Sequence, residues 1–189
     1  ANADVIVLKG RPSIMCAGVD LKVMKNAPAD ATQMVRLGGG LVLRLFSCAK
    51  PVVISTSGHG IAAGGLLMLA ADYRIGTQGE ARYGLNESAI GMVLPPFGMD
   101  MARFKLNNQY LDASVVGAEL YLPDAAVRVG YLDEVVAPEN LDARTLEKAQ
   151  ALLELDGKAF AGNKKIIRGA AIEKIRAELE TGAGLQVGV

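Results

Sequence analysis

Strands that alternate with helices predict an α/β protein for this chain of 189 residues. Three observations carry that expectation. Short β-branched runs, such as Val52-Val53-Ile54, recur between segments whose apolar residues fall three and four apart. Turns rich in Gly and Pro separate them. After the last strand-like run the chain turns helical, with Leu146, Ala149, Leu152 and Leu153, then Ile166, Ile167, Ala170, Ile175 and Leu179, at helical spacing. The expected division is a core over 1–140 and a helical region over 141–189 that packs on the core or on a neighbouring subunit.

Residues 4–8 read as a buried strand, closed by a turn at Lys9-Gly10-Arg11-Pro12. Residues 13–20 read as a loop entering a helical turn at 21–24, and the polar, Pro-containing 26–30 as a surface connection. A helix is expected over 31–47 from the spacing of Met34, Val35, Leu37, Leu41, Leu45 and Phe46. Gly38-Gly39-Gly40 interrupts it, and each Gly costs about 1 kcal/mol against Ala inside a helix; either the helix breaks there or another backbone crosses close by. A strand at 52–56 leads into a small-residue turn at 57–65, a short buried helix and a strand at 73–76. Residues 81–84 read as a short strand. Pro95 and Pro96 break the chain before a helix at 99–106, and two more short helices are expected at 112–120 and 123–130. The last strand covers 132–136.

One domain with a real core fits this length. Formal net charge is zero and no long run of one sign stands out, so nothing favours nucleic acid or an anionic membrane. Cys16 and Cys48 are far apart and there is one His, which argues against a zinc site and for reduced thiols in a cytoplasmic protein. No metal is expected. The longest apolar run, 61–71, is too short to cross a bilayer, and nothing reads as a signal peptide.

Three short stretches are candidates for chemistry: the loop 16–20, the turn 61–65, and Asn86-Glu87. Small residues in the turn let another molecule approach the backbone, and the first N–H groups of the helix after it have no partner within it. Such groups hold an anion or an oxyanion formed during reaction; the same small residues also serve to pack a helix tightly on a sheet. Glu87 lies among Leu85, Ala89, Ile90, Met92 and Val93. Burial there raises its pKa and suits a general base or acid, while a carboxylate at a helix start also caps backbone N–H groups. His59 is expected to bond to backbone, Cys16 to pack, and Asp20 and Asp72 to orient loops and helix ends. Met92, Met99 and Met101 are candidates for lining an adaptable apolar pocket or for core filling.

These stretches resemble two signatures of the crotonase (enoyl-CoA hydratase/isomerase) superfamily. Met15-Cys16-Ala17-Gly18-Val19-Asp20-Leu21 is similar to the first, with Met15 in place of the usual aromatic, and Lys50-Pro51-Val52-Val53 with residues 58–72 is similar to the second. The resemblance implies a ClpP-like spiral of β-β-α units with a helical C-terminal oligomerisation region, a homotrimer or homohexamer, and an acyl-CoA thioester as substrate, coenzyme A being part of that substrate and no separate cofactor being needed. It implies that the backbone N–H groups of Val19 and Ala63 hold the thioester oxygen, with Ala63 replacing the commoner Gly, and that Ala17, Gly18, Asp20, Gly64, Leu66 and Pro95 contact substrate. Family hydratases use two glutamates; one position falls on Leu66 and the other on Glu87. One carboxylate kept and one lost is similar to the Δ3,Δ2-enoyl-CoA isomerase branch. Hydration or another thioester reaction, and a non-catalytic paralogue, are the rival readings. Lys22, Lys164, Lys165 and Arg168 are candidates for contacts to CoA phosphates, the last three on a neighbouring subunit. Members normally carry several tens of residues ahead of the first strand; without them the edge of the 4–8 strand is expected to be exposed.

Overall fold

In the computed structural model, which describes residues 3–182, the chain alternates between two parallel sheets. Strands β1 (Ile6–Lys9), β3 (Val52–Thr56), β5 (Tyr73–Thr77) and β7 (Glu134–Val136) form the first, in the order β1-β3-β5-β7. Strands β2 (Ile14–Cys16), β4 (His59–Ile61) and β6 (Tyr83–Gly84) form the second, in the order β2-β4-β6. Every pairing is parallel. Each of the first three turns of the chain adds one strand to each sheet and β7 then extends the first, which is a spiral of β-β-α units. All five residues of β3 are buried, as a parallel sheet covered on both faces requires.

The helices are α1 (Leu21–Asn26), α2 (Pro28–Phe46), α3 (Ala63–Ala70), α4 (Pro96–Lys105), α5 (Leu111–Val115), α6 (Pro123–Val129), α7 (Leu141–Leu153) and α8 (Gly157–Thr181). Several depart from expectation for physical reasons. β2 and β4 lie in segments expected to be loop and turn; three residues each, they become strands only by pairing Ile14 with His59 and Cys16 with Gly60. α2 runs through its three glycines without a break. What comes close there is side chain, not backbone: a Cβ on Gly39 would sit 2.5 Å from Leu179 Cδ2 and 3.0 Å from the Phe97 ring. Pro96 opens α4 instead of preceding it, because the first helical position needs no N–H donor. The helix expected at 112–120 stops at Val115; beyond Ala118, which adopts φ 52°, Tyr121 bridges to Tyr83 of the second sheet.

α7 and α8 pack on their own core. Ile172, Ile175 and Leu179 are buried, and Thr145 Oγ1 of α7 donates to Ser55 Oγ of β3 at 2.8 Å. An ionic knot fastens α8. Asp72, just before β5, accepts from Lys164 Nζ and Arg168 at 2.7 Å each and from the Val52 N–H at 2.8 Å. Arg168 also donates to the Phe46 carbonyl at 2.9 Å and lies over its ring. All three charged side chains are over nine-tenths buried. Lys164 and Arg168 are thus committed inside the fold, which corrects the reading of them as contacts for a neighbouring subunit's ligand; Lys165 is exposed. Arg74 makes a second buried pair with Asp133 at 2.7 Å, and Lys105 donates to the Ala71 carbonyl at 2.8 Å. Burial first, and then the Arg74 and Arg168 charges, lower the Lys105 pKa to about 7.

Asp72→Ala leaves two buried cations without a counter-charge and is expected to cost about 3–5 kcal/mol, read by denaturant unfolding. Between pH 7 and the ordinary lysine range the unfolded chain holds a proton at Lys105 that the folded chain has released, so this group makes stability rise with pH across that window. Lys105→Met is expected to flatten the rise in thermal midpoint between pH 7 and 9.

Candidate active site

Three adjacent strands of the second sheet deliver three loops to one place, outside the carboxyl ends of β2, β4 and β6, where open α/β sheets bind ligands. The loops are drawn together by glycines. A Cβ on Gly64 would lie 2.0 Å from the Cys16 carbonyl oxygen, and one on Gly65 would lie 2.6 Å from that of Gly84. The first turn of α3 therefore sits directly on the backbones of the first and third loops. The Ala62 N–H donates to the Gly84 carbonyl at 3.0 Å and closes the arrangement. Ala62 has φ 54° and ψ −120°, a region a residue with a Cβ rarely adopts, and Gly18 opposite has φ 106°. Such strain persists where surrounding contacts over-determine it, and it clusters at functional sites.

Between the loops and helix α2 lies a cavity of about 270 Å³. Ala17, Gly18, Val19, Ala63, Leu66, Glu87 and Pro95 all line it. Asp20 and Gly64 do not. Asp20 caps α1, accepting from the Lys22 N–H at 2.8 Å and the Val23 N–H at 3.4 Å, and Gly64 stands behind Ala63 against Cys16. Within the described residues neither the Val19 N–H nor the Ala63 N–H has a hydrogen-bond acceptor. So the small-residue turn does both things its composition allowed: Gly64 and Gly65 pack the helix, and Ala63 beside them presents a free N–H donor.

Glu87 is 7% exposed, and its Oε2 is buried with no hydrogen-bond partner among the described residues. Its side chain caps nothing, although it begins a short 3-10 turn at 88–90. Burial pushes its pKa above the ordinary glutamate value, partly offset by a hydrogen bond from its own backbone. Its carbonyl accepts from the Ile90 and Met92 N–H groups at 3.0 and 2.9 Å, which holds the loop. Among the described residues, Glu87 is the only carboxyl side chain on the cavity wall, and Asn86 and Cys16 are the only other polar side chains there. Among the described residues, no group of three or more His, Cys, Asp or Glu could hold a metal.

His59 Nδ1 accepts from the Arg82 N–H at 2.9 Å, the backbone role expected of it. Cys16 lines the cavity, with Sγ 3.8 Å from the Gly18 carbonyl. Of the three methionines singled out, Met92 lines the cavity, Met101 is core and Met99 packs, partly buried, against the core; Lys22 is exposed. Sequence reasoning missed one wall, formed by Met24 of α1 and Val35, Gly38, Gly39, Leu41 and Val42 of α2. Its signal was the glycine run, whose helical cost had no explanation from spacing.

A family model described as enoyl-CoA hydratase/isomerase matches residues 1–187. The chain is 28% identical over 173 residues to the mitochondrial enoyl-CoA delta isomerase 1 of Mus musculus, covering 90% of this chain and 60% of the mouse protein. It is 28% identical over 182 residues to a probable enoyl-CoA hydratase of Mycobacterium tuberculosis, covering 92% of this chain and 68% of that one. A crystal structure of an enoyl-CoA hydratase/isomerase family protein from Pseudomonas syringae superposes with a TM-score of 0.91 at 34% identity, covering 94% of this chain and 77% of that one. The chain thus spans about three-fifths of the mouse relative it matches. No helix among the described residues is long and apolar enough to cross a membrane. With two parallel sheets wound as β-β-α units and a match along nearly its whole length, the chain belongs to the enoyl-CoA hydratase/isomerase family and has the crotonase fold.

Proposed function

We propose that this chain carries an enoyl-CoA isomerase site, converting a 3-enoyl-CoA to the 2-trans-enoyl-CoA. The observation that carries the reading is a buried carboxyl, Glu87, alone of its kind among the described residues of a wall that offers free backbone donors and, Asn86 and Cys16 apart, apolar side chains. The thioester oxygen sits between the Val19 and Ala63 N–H groups. Ionised Glu87 takes a proton from C2, and the electron pair moves onto that oxygen as an enolate conjugated with the C3 double bond. Each donor stabilises the charge as it develops, and losing one typically costs about 3–4 kcal/mol. Protonated Glu87 then returns the proton at C4, the double bond settles between C2 and C3, and no atom is gained or lost. Leu66 stands where the resemblance places the first of a hydratase's two glutamates, so among the described residues of the wall no carboxylate besides Glu87 holds a water for addition. A dry wall also strengthens the hydrogen bonds to the enolate. Substrate supplies the coenzyme A, and no further cofactor enters the scheme. Assembly as a homotrimer or homohexamer fits the exposed Ile166 and Ile167 on α8.

The assay compares two substrates. The protein is expected to isomerise 3-enoyl-CoA and to hydrate crotonyl-CoA poorly; efficient hydration would reverse the assignment, and no turnover of either with retained CoA-ester binding would favour a non-catalytic paralogue. Glu87→Gln is expected to lower isomerisation about 10²–10⁴-fold while CoA-ester binding persists. Because the base must be ionised and burial raises its pKa, kcat/KM of the wild type should rise with pH through an inflection above the ordinary glutamate range.

The same substitution has a signed effect on stability. Above the unfolded-state pKa the unfolded chain releases a proton that folded Glu87 retains, so this group lowers stability as pH rises toward neutrality. Glu87→Gln is expected to raise the thermal midpoint at pH 7 and to leave it unchanged at pH values below the ordinary carboxylate range, where both states are neutral.

A further inference from the structure

The three glycines of α2 face three different surroundings. Gly39 is buried, and its missing side chain makes room for Phe97 and Leu179. Gly40 is exposed and does not line the cavity. Gly38 is half-buried and lines the cavity, yet a Cβ built on it meets no atom within 4 Å. A glycine inside a helix is unfavourable, and here no neighbouring protein atom occupies the space it leaves. The same cavity holds the unpartnered, nine-tenths buried carboxyl of Glu87. The cavity that Gly38 lines is largely apolar, with Val35, Leu41 and Val42 from the same helix and Met92 and Phe97 also on its wall. Leu21, Leu41 and Ile90 line the cavity and are each about half exposed, so its mouth is apolar too.

From these surroundings we infer that the gap at Gly38 seats the substrate's acyl chain, and that the site takes medium-chain acyl groups with Gly38 setting the length. The inference rests on the acyl-CoA reading above and adds to it which thioesters fit. An apolar cavity of about 150 Å³ holds a benzene ring, so about 270 Å³ holds on the order of ten carbon-sized groups, counted from the thioester carbonyl. A chain of roughly eight to ten carbons fills it. Side chains added at Gly38 grow into that space and shorten the chain that fits, about one carbon for each carbon added.

Two measurements test the inference separately from the isomerase reading. The first is the dissociation constant of saturated acyl-CoAs of four to twelve carbons, which needs no turnover. Wild type should gain about fourfold in affinity per added methylene until the cavity is full, and then level off. Gly38→Leu should move the levelling point down by about four carbons while short-chain binding persists, and Gly38→Ala by about one. Gly40→Ala, on the exposed face, should leave the profile unchanged. Ala and Leu both favour helix over Gly, so thermal midpoints of these variants should equal or exceed that of wild type. A uniform loss at every length in Gly38→Leu, an unchanged profile, or no acyl-CoA binding by wild type at any length would overturn the inference. The second measurement repeats the series with 3-enoyl-CoA turnover. Length-dependent binding without turnover would keep the acyl seat and remove the isomerase assignment, whereas turnover with a flat binding profile would do the reverse.

Discussion

The contact on which the site depends is the meeting of α3's first turn with the backbones of two other loops. Gly64 lies against the Cys16 carbonyl, Gly65 against that of Gly84, and the Ala62 N–H bonds to Gly84. No side chain fits in either gap. One short helix thereby fixes the spacing of the loops that carry Val19, Ala63 and Glu87. The strained backbone of Ala62 is tolerated because these contacts leave it no alternative. A methyl group at position 64 or 65 would separate the loops, and with them the two free N–H donors from the carboxyl.

Two acids show how differently the fold treats buried charge. Asp72 is buried with two cations and a backbone N–H on it, so its charge is fully answered and it joins α8 to the first sheet. Glu87 is as deeply buried, but its Oε2 has no partner. Burial of an unanswered carboxyl disfavours its charged form and costs stability. The local sequences do not separate these two cases, since neither acid has a cation directly beside it: Asp72 lies between Ala71 and Tyr73, and Glu87 between Asn86 and Ser88. What separates them is α8, which crosses Asp72 and brings Lys164 and Arg168 to it from 92 and 96 positions away. Among the described residues, no cationic side chain lines the cavity wall that carries Glu87.

Much of the site was legible in sequence because its loops carry short, local signals. The loop 16–20 and the turn 61–65 are short stretches rich in small residues, and Glu87 is an acid among apolar neighbours; each is read from a few adjacent residues. Asp20 was the exception in the other direction. It belongs to the first signature by position, yet its carboxylate is used in capping α1 and stands off the cavity wall. The α2 wall was illegible because its residues carry only the helical period, and a helix has several apolar faces from which periodicity alone does not choose.

The sequence by itself determined the α/β class, the central strand β3 and the long terminal helices, because burial on both faces and helical periodicity are written in contiguous residues. Its two signatures also determined the family. Only the tertiary structure decided that residues 14–16 and 59–61 are strands, that Pro96 starts a helix, and that Lys164 and Arg168 turn inward. Three-residue strands have too little side-chain pattern to announce themselves; they exist because a neighbouring backbone supplies the hydrogen bonds. Likewise the partner of a buried charge, or its lack of one, depends on what the fold brings across from distant sequence.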